Sequence, residues 1–252
     1  MKSATNLLLA FPLFSAQASS ALADHARIQR RLPSHKAAAR QGRSLVVGGA
    51  DAPPDRFPYY SILDVETSAG FFFCGAVLVH DDILLTTAKC IEGALSIFTA
   101  VNYTVDTSQP TGFEYYRAII ASRAHAQFDS TTNDYDIALL KMELPVLQVA
   151  PVTIGTTRPK NGDSVTAVGF GQLSEGGTDF PSLLQEVEVE IIPFQMCNSE
   201  SSYNGQIKNR RMICAAAPGK VRSERCFLVI RLVAVLTRLD HRTLATEMRE
   251  VH

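Results

Sequence analysis

The sequence predicts an all-β chain of the sandwich or barrel class, on three observations. Short apolar or β-branched runs alternate with turn residues from about residue 59 onward. Gly, Pro, Asn and Asp fill the gaps between them. The segment Gln185–Ile191 alternates with period two, as a half-buried strand does. The predicted strands are Tyr59–Val65, Phe71–Val79, Ile83–Thr86, Ser96–Val105, Tyr115–Ala121, Asp136–Met142, Ser164–Phe170 and Leu183–Ile192. The predicted turns are Asp51–Asp55, Asp129–Asn133, Pro159–Asp163 and Ser174–Thr178. No internal repeat is evident. At 252 residues and 46% apolar content, the chain can form one sizeable domain or two small ones.

Charge divides the chain unevenly. Residues 1–43 hold seven bases (Lys2, Arg27, Arg30, Arg31, Lys36, Arg40, Arg43) and one acid, Asp24. The remainder carries 17 bases and 24 acids, a net of −7. An acidic body argues against nucleic acid as a partner. The first 23 residues have the pattern of a secretory signal. Lys2 gives a positive start, Asn6–Phe14 an apolar stretch, and Ala21-Leu22-Ala23, or earlier Ala16-Gln17-Ala18, a small-residue cleavage pattern. Residues 24–45 are basic and lack apolar periodicity, as a propeptide does. No run reaches membrane-spanning length; Phe227–Leu236 is broken by Arg231. The expected location is therefore outside the cell, where cysteines pair. Five cysteines, Cys74, Cys90, Cys197, Cys214 and Cys226, leave one without an intrachain partner.

Three ordered segments carry a family resemblance. Val46-Val47-Gly48-Gly49 is followed by Phe57-Pro58-Tyr59; Cys74–Val79 is followed by Ile83-Leu-Leu-Thr-Thr-Ala-Lys-Cys90; and Asn133-Asp-Tyr-Asp136-Ile-Ala-Leu-Leu-Lys141 comes after both. Weaker echoes are Val168–Gly171, Ile192–Cys197 and Met212–Ala215. Together these resemble the trypsin-like serine proteases, over about residues 46 to 220. The resemblance implies two six-stranded antiparallel β-barrels of the trypsin type, the second incomplete here. It implies a protease domain over 46–226 and a non-family tail over 227–252. It also implies a monomer, no cofactor, no metal, no membrane or nucleic-acid contact, and a protein substrate or protein binding target.

The family's chemistry uses a serine nucleophile, a histidine base and an aspartate that orients the histidine. Asp136 occupies the aspartate's position. Lys89 stands where the histidine belongs, in Thr86-Thr87-Ala88-Lys89-Cys90. A charged ammonium cannot accept the serine proton. Lysine bases work elsewhere when desolvated with no carboxylate to hold the proton. Here an ion pair with Asp136 is expected to fill a dead site. His80 lies nine residues too early to substitute.

No serine nucleophile is assigned. The family places it in Gly-Asp-Ser-Gly-Gly-Pro, where glycines let the backbone aim N–H groups at an oxyanion. After Cys214 the chain continues Ala-Ala-Ala-Pro-Gly-Lys-Val-Arg-Ser-Glu-Arg-Cys226, and no glycine occurs between Gly219 and His252. Gly162-Asp163-Ser164 is a decoy, expected to be a turn and a strand start. Val46 matches the amine that activation frees, but Leu45 precedes it where the family has Arg or Lys. Primary specificity cannot be read without the serine.

The resemblance also implies disulfides Cys74–Cys90 and Cys197–Cys214, with Cys226 unpaired. Asn102-Tyr-Thr104 is an N-glycosylation sequon, expected on an exposed loop. Past Lys220 the pattern changes abruptly, as a shifted reading frame or retained intron would produce. The tail offers one strand-like run, 227–236, and a possible helix with Leu244, Met248 and Val251 on one face. The expectation is a secreted protease homologue without peptidase activity, a binding module. The alternative is a serine endopeptidase whose C-terminal half is mis-assembled.

Overall fold

The computed structural model describes residues 49–104, 114–155, 157–171, 181–208 and 211–216, and the backbone of 228–230. The signal and propeptide segments, Val46, Cys226 and the helix expected near Leu244 lie outside the described residues. The elements run β1 (Ala50–Asp51), β2 (Tyr60–Thr67), β3 (Gly70–His80), β4 (Ile83–Thr86), α1 (Ala88–Ile91), β5 (Ala94–Val101), β6 (Tyr115–Ala124), β7 (Ala138–Met142), β8 (Ser164–Gly169), β9 (Gln185–Ile191), α2 (Phe194–Cys197), β10 (Ile213–Ala216) and β11 (Leu228–Ile230).

Strands β2-β3-β4-β7-β6-β5 close into an antiparallel barrel, with β5 pairing back to β2. Closure leaves no free edge. Its core is Leu63, Val65, Leu78, Leu84, Val101, Leu140 and Met142, all essentially without solvent contact. These residues alternate along their strands, so one face of each strand supplies the interior. A second cluster of Val77, Ile83, Leu85, Ile137 and Leu139 covers the other face of β4 and β7.

The remaining strands form a second, five-stranded antiparallel sheet, which is not closed among the described residues. β9 pairs with β8 along one edge. Its other edge is shared by β1 at Gln185–Glu186 and β10 at Glu190–Ile191. The period-two pattern of β9 puts Val189 and Ile191 against Ile213, Ala215 and Val165, while Glu188 faces water. β11 lies antiparallel to β10, so the segment past residue 226 adds a strand to this sheet. This strand lies within the strand-like run 227–236 expected from the sequence.

An aromatic group joins the barrel to the second sheet. Phe170, just after β8, packs against Tyr60 and Tyr103, with ring centroids at 5.9 and 5.4 Å. The Tyr60 hydroxyl hydrogen-bonds the Phe170 backbone, and burial pushes the phenol well above its ordinary range. Gly75 sits directly under this hydroxyl: a Cβ there would lie 3.2 Å from the Tyr60 oxygen. The ring has little freedom to yield, because Phe170 holds it. Gly75→Ala is therefore expected to lower stability by about 1–3 kcal/mol, from overpacking. A urea midpoint unchanged from the parent would refute this close fit.

At the other end of β4, Asp82 accepts hydrogen bonds from Lys141 Nζ at 2.8 Å and pairs with His80 Nδ1 at 3.0 Å. Partial burial opposes ionisation, but the bonds from Lys141 and His80 outweigh it and hold the carboxyl below its ordinary range. A depressed carboxyl contributes stability that is present above its unfolded value, near ~4, and lost as pH falls through the folded value. Asp82→Asn is thus expected to flatten the acid limb of the melting-temperature profile. An unchanged acid limb would contradict the arrangement.

Candidate active site

The register of β4 and β7 builds the site. Thr86 pairs with Ala138, so the chain leaving β4 and the chain approaching β7 lie side by side at one end of the barrel. The residues that follow Thr86 and those that precede Ala138 therefore meet there. Thr87 caps α1: its Oγ1 accepts from the Cys90 N–H at 3.3 Å. Gly93, in the left-handed region at φ 69°, follows the last turn and lets the chain reverse into β5. Cys74 and Cys90 are disulfide-bonded with Cα atoms 6.2 Å apart, fixing α1 to β3. Cys197 and Cys214 are bonded likewise, at 6.1 Å.

Asp136 is 7% exposed, and its Oδ1 accepts the Lys89 backbone N–H at 2.8 Å. The loop before it is tightly built. Asp129 accepts from the Thr131 N–H and the Thr132 hydroxyl, each at 2.8 Å. Those bonds hold the Asp129 carboxyl below its ordinary range, the Thr132 hydroxyl contributing most. Asn133 and Tyr135 both take φ of 52°, a region that Asn tolerates and that is costly for Tyr. Tyr135 is held there by a stack: His125 lies parallel to its ring at 4.6 Å, and the Arg211 guanidinium sits 4.8 Å from its centroid. Arg211 also binds both oxygens of Asp134, at 2.6 and 2.7 Å. This ties the loop to the residue just before β10.

The Lys89 side chain departs from expectation. Its ammonium pairs with Glu92 Oε2 at 2.5 Å, not with Asp136. Lys89 and Glu92 side chains are 48% and 42% exposed. The reason is local: residues three apart on a helical turn are neighbours, and the pair forms in water rather than at a buried carboxylate. Bonds from Lys89 first, then Ser130, hold the Glu92 carboxyl below its ordinary range. The sequence reading missed Glu92, although its i,i+3 spacing from Lys89 was available. It also missed the His125–Tyr135–Arg211 stack, which joins residues distant in sequence.

Other candidates fall into place. His80 ends β3 at the far end of β4 from Asp136, beside Asp82. Gly162, at φ 89°, and Asp163 form a turn, and Ser164 opens β8 with its hydroxyl on Glu188. Asn102 lies in a turn at the end of β5 at φ 60°, with its amide oxygen out of solvent contact and Tyr103 buried behind it. Asn102 itself is half-buried in this turn. No cluster of His, Cys, Asp and Glu able to hold a metal ion occurs among the described residues. No helix among them is long and apolar enough to cross a membrane.

Comparison with known proteins adds the family context. Residues 46–226 match the family model described as Trypsin. Trypsin theta of Drosophila melanogaster is 28% identical over 185 residues, covering 70% of this chain and 66% of the relative. Anionic trypsin of Canis lupus familiaris is 29% identical over 173 residues, covering 68% and 66%. The chain thus spans about 66% of the length of these relatives. A solved structure described as "Structure of GrC" superposes with a TM-score of 0.64 at 21% identity, covering 75% of this chain and 86% of that one. That likeness is one of fold.

Proposed function

Since the chain belongs to the trypsin family over residues 46–226, we propose that it is a secreted homologue that binds a protein target and does not hydrolyse peptide bonds. One observation carries this reading. The backbone of residue 89 is bonded to Asp136 at 2.8 Å, yet the side chain there is a lysine whose ammonium turns to Glu92. An ammonium has no lone pair with which to take a serine proton. The acid that would orient a base is present, and the base is not.

The absence of glycine between Gly219 and His252 supports the same reading, because an oxyanion loop needs a backbone that turns tightly. The two losses are independent. The signal-like residues 1–23 and the paired cysteines support secretion.

A second reading is favoured by the buried, hydrogen-bonded state of Asp136. It is an endopeptidase whose sequence after Lys220 has been mis-assembled, and it leaves Lys89 unexplained. Exposure of the secreted chain to a serine-directed phosphonate tests the proposal. No labelling is expected. Stoichiometric labelling of one serine, lost on Asp136→Ala, would establish the second reading instead.

A further inference from the structure

We propose that His125 is a pH-dependent latch on the loop that carries Asp136. The latch is closed while the imidazole is neutral and opens when it is protonated. It stands whether or not the chain hydrolyses anything, because it rests on the loop and not on the site's chemistry.

The geometry assigns the protonation state of the closed form. His125 Nδ1 lies 3.1 Å from the Gln127 N–H and accepts from it. An imidazolium has a proton on each nitrogen and cannot accept. Protonation therefore breaks this bond and turns two N–H groups against each other. The same ring is stacked on Tyr135 at 4.6 Å, with 12° between the planes. Arg211 lies 4.8 Å from the Tyr135 centroid. A charged His125 would place a second cation on the ring that the guanidinium already contacts.

The surrounding charges do not cancel that cost. Asp134 is already bound through both oxygens to Arg211. Asp129 is committed to Thr131 and Thr132. Asp136 holds the Lys89 N–H. α1 packs against β6, and the charged groups at its end, Lys89 and Glu92, pair with each other.

Release matters because Tyr135 is in a left-handed conformation that nothing in its own chemistry favours. The stack packs its ring, and the Asp134 carboxylate that Arg211 grips accepts its N–H at 3.0 Å. Ile137 N–H donates to Tyr135 O at 2.8 Å, and His125 N–H donates to Ile137 O at 2.9 Å, so residues on both sides of Asp136 depend on the same local fold. Loosening the stack lets Tyr135 relax and shifts the carboxylate that follows it. Imidazole changes charge within about pH 5 to 8, a range that extracellular and endosomal compartments span.

Amide hydrogen exchange of the full chain tests this, corrected for the intrinsic pH dependence of exchange. Exchange at Gln127 and residues 131–137 is expected to accelerate about tenfold between pH 8 and pH 5, the equivalent of one lost hydrogen bond. Amides of β3 and β4 serve as the reference and are expected to hold. His125→Phe keeps a ring on Tyr135 and cannot titrate; the acceleration is expected to vanish in it. Arg211→Gln removes the opposing cation and makes protonation less costly, so the acceleration is expected to shrink and its midpoint to move to higher pH. Loop protection that is constant across the range overturns the proposal. So does the same acceleration in His125→Phe.

Discussion

Leu84→Ala is expected to destabilise the chain by about 2–5 kcal/mol, toward the upper end, because the site cannot collapse. Leu84 has no solvent exposure and sits inside the closed barrel among Leu63, Leu78 and Leu140. β4 is hydrogen-bonded on both edges, to β3 and to β7. Neither neighbour can move inward without breaking a ladder, so the deleted methyl groups leave a cavity. Chemical denaturation measures the loss, and Leu95→Ala is the control. Leu95 is 71% exposed, and its truncation is expected to change stability by less than about 0.5 kcal/mol. Equal effects at both positions would mean that β4 is not a core strand.

Replacing Cys74 and Cys90 together with alanine is expected to cost about 2–4 kcal/mol. The bridge closes a 16-residue separation that contains the β3–β4 hairpin and α1. Its loss acts on the site as well as on stability. A four-residue helix has no stability of its own and is held here by the Thr87 cap and the bridge. Without the bridge the Lys89 N–H leaves Asp136, and exchange at that amide is expected to approach the rate of an open loop. A reduced stability with full protection at Lys89 would show that the cap alone holds α1.

The barrel strands were legible because each must bury one face, and burial leaves an apolar pattern in the sequence. β4 was placed residue for residue, and β8 and β9 differ from expectation only at their ends. β1 was not legible. Its two residues lie partly within a Pro-rich stretch that reads as a turn, and they become a strand only by pairing with Gln185 and Glu186. The short helices α1 and α2 were missed because no periodicity can show in four residues.

At the site, the meeting of residue 89 with Asp136 was legible from motif order. The direction of the Lys89 side chain was not. The expected ion pair assumed that opposite charges meet wherever the backbone brings them close. The structure instead puts a buried carboxylate on a backbone amide and leaves the ammonium in water beside Glu92. Desolvating a lysine to reach Asp136 costs more than a partly exposed pair one turn away. The left-handed conformation of Tyr135 could not be foreseen, since it forms under tertiary contacts from His125 and Arg211.

The central claim is that a lysine at the base position leaves the family's scaffold without its chemistry. Initial-rate hydrolysis of peptide amide and ester substrates by the purified secreted chain, beside its Asp136→Ala variant, tests it most directly. Both are expected to match the buffer blank from pH 6 to pH 10. Turnover above the blank that disappears in Asp136→Ala would contradict the account, because it would require a working base where Lys89 stands.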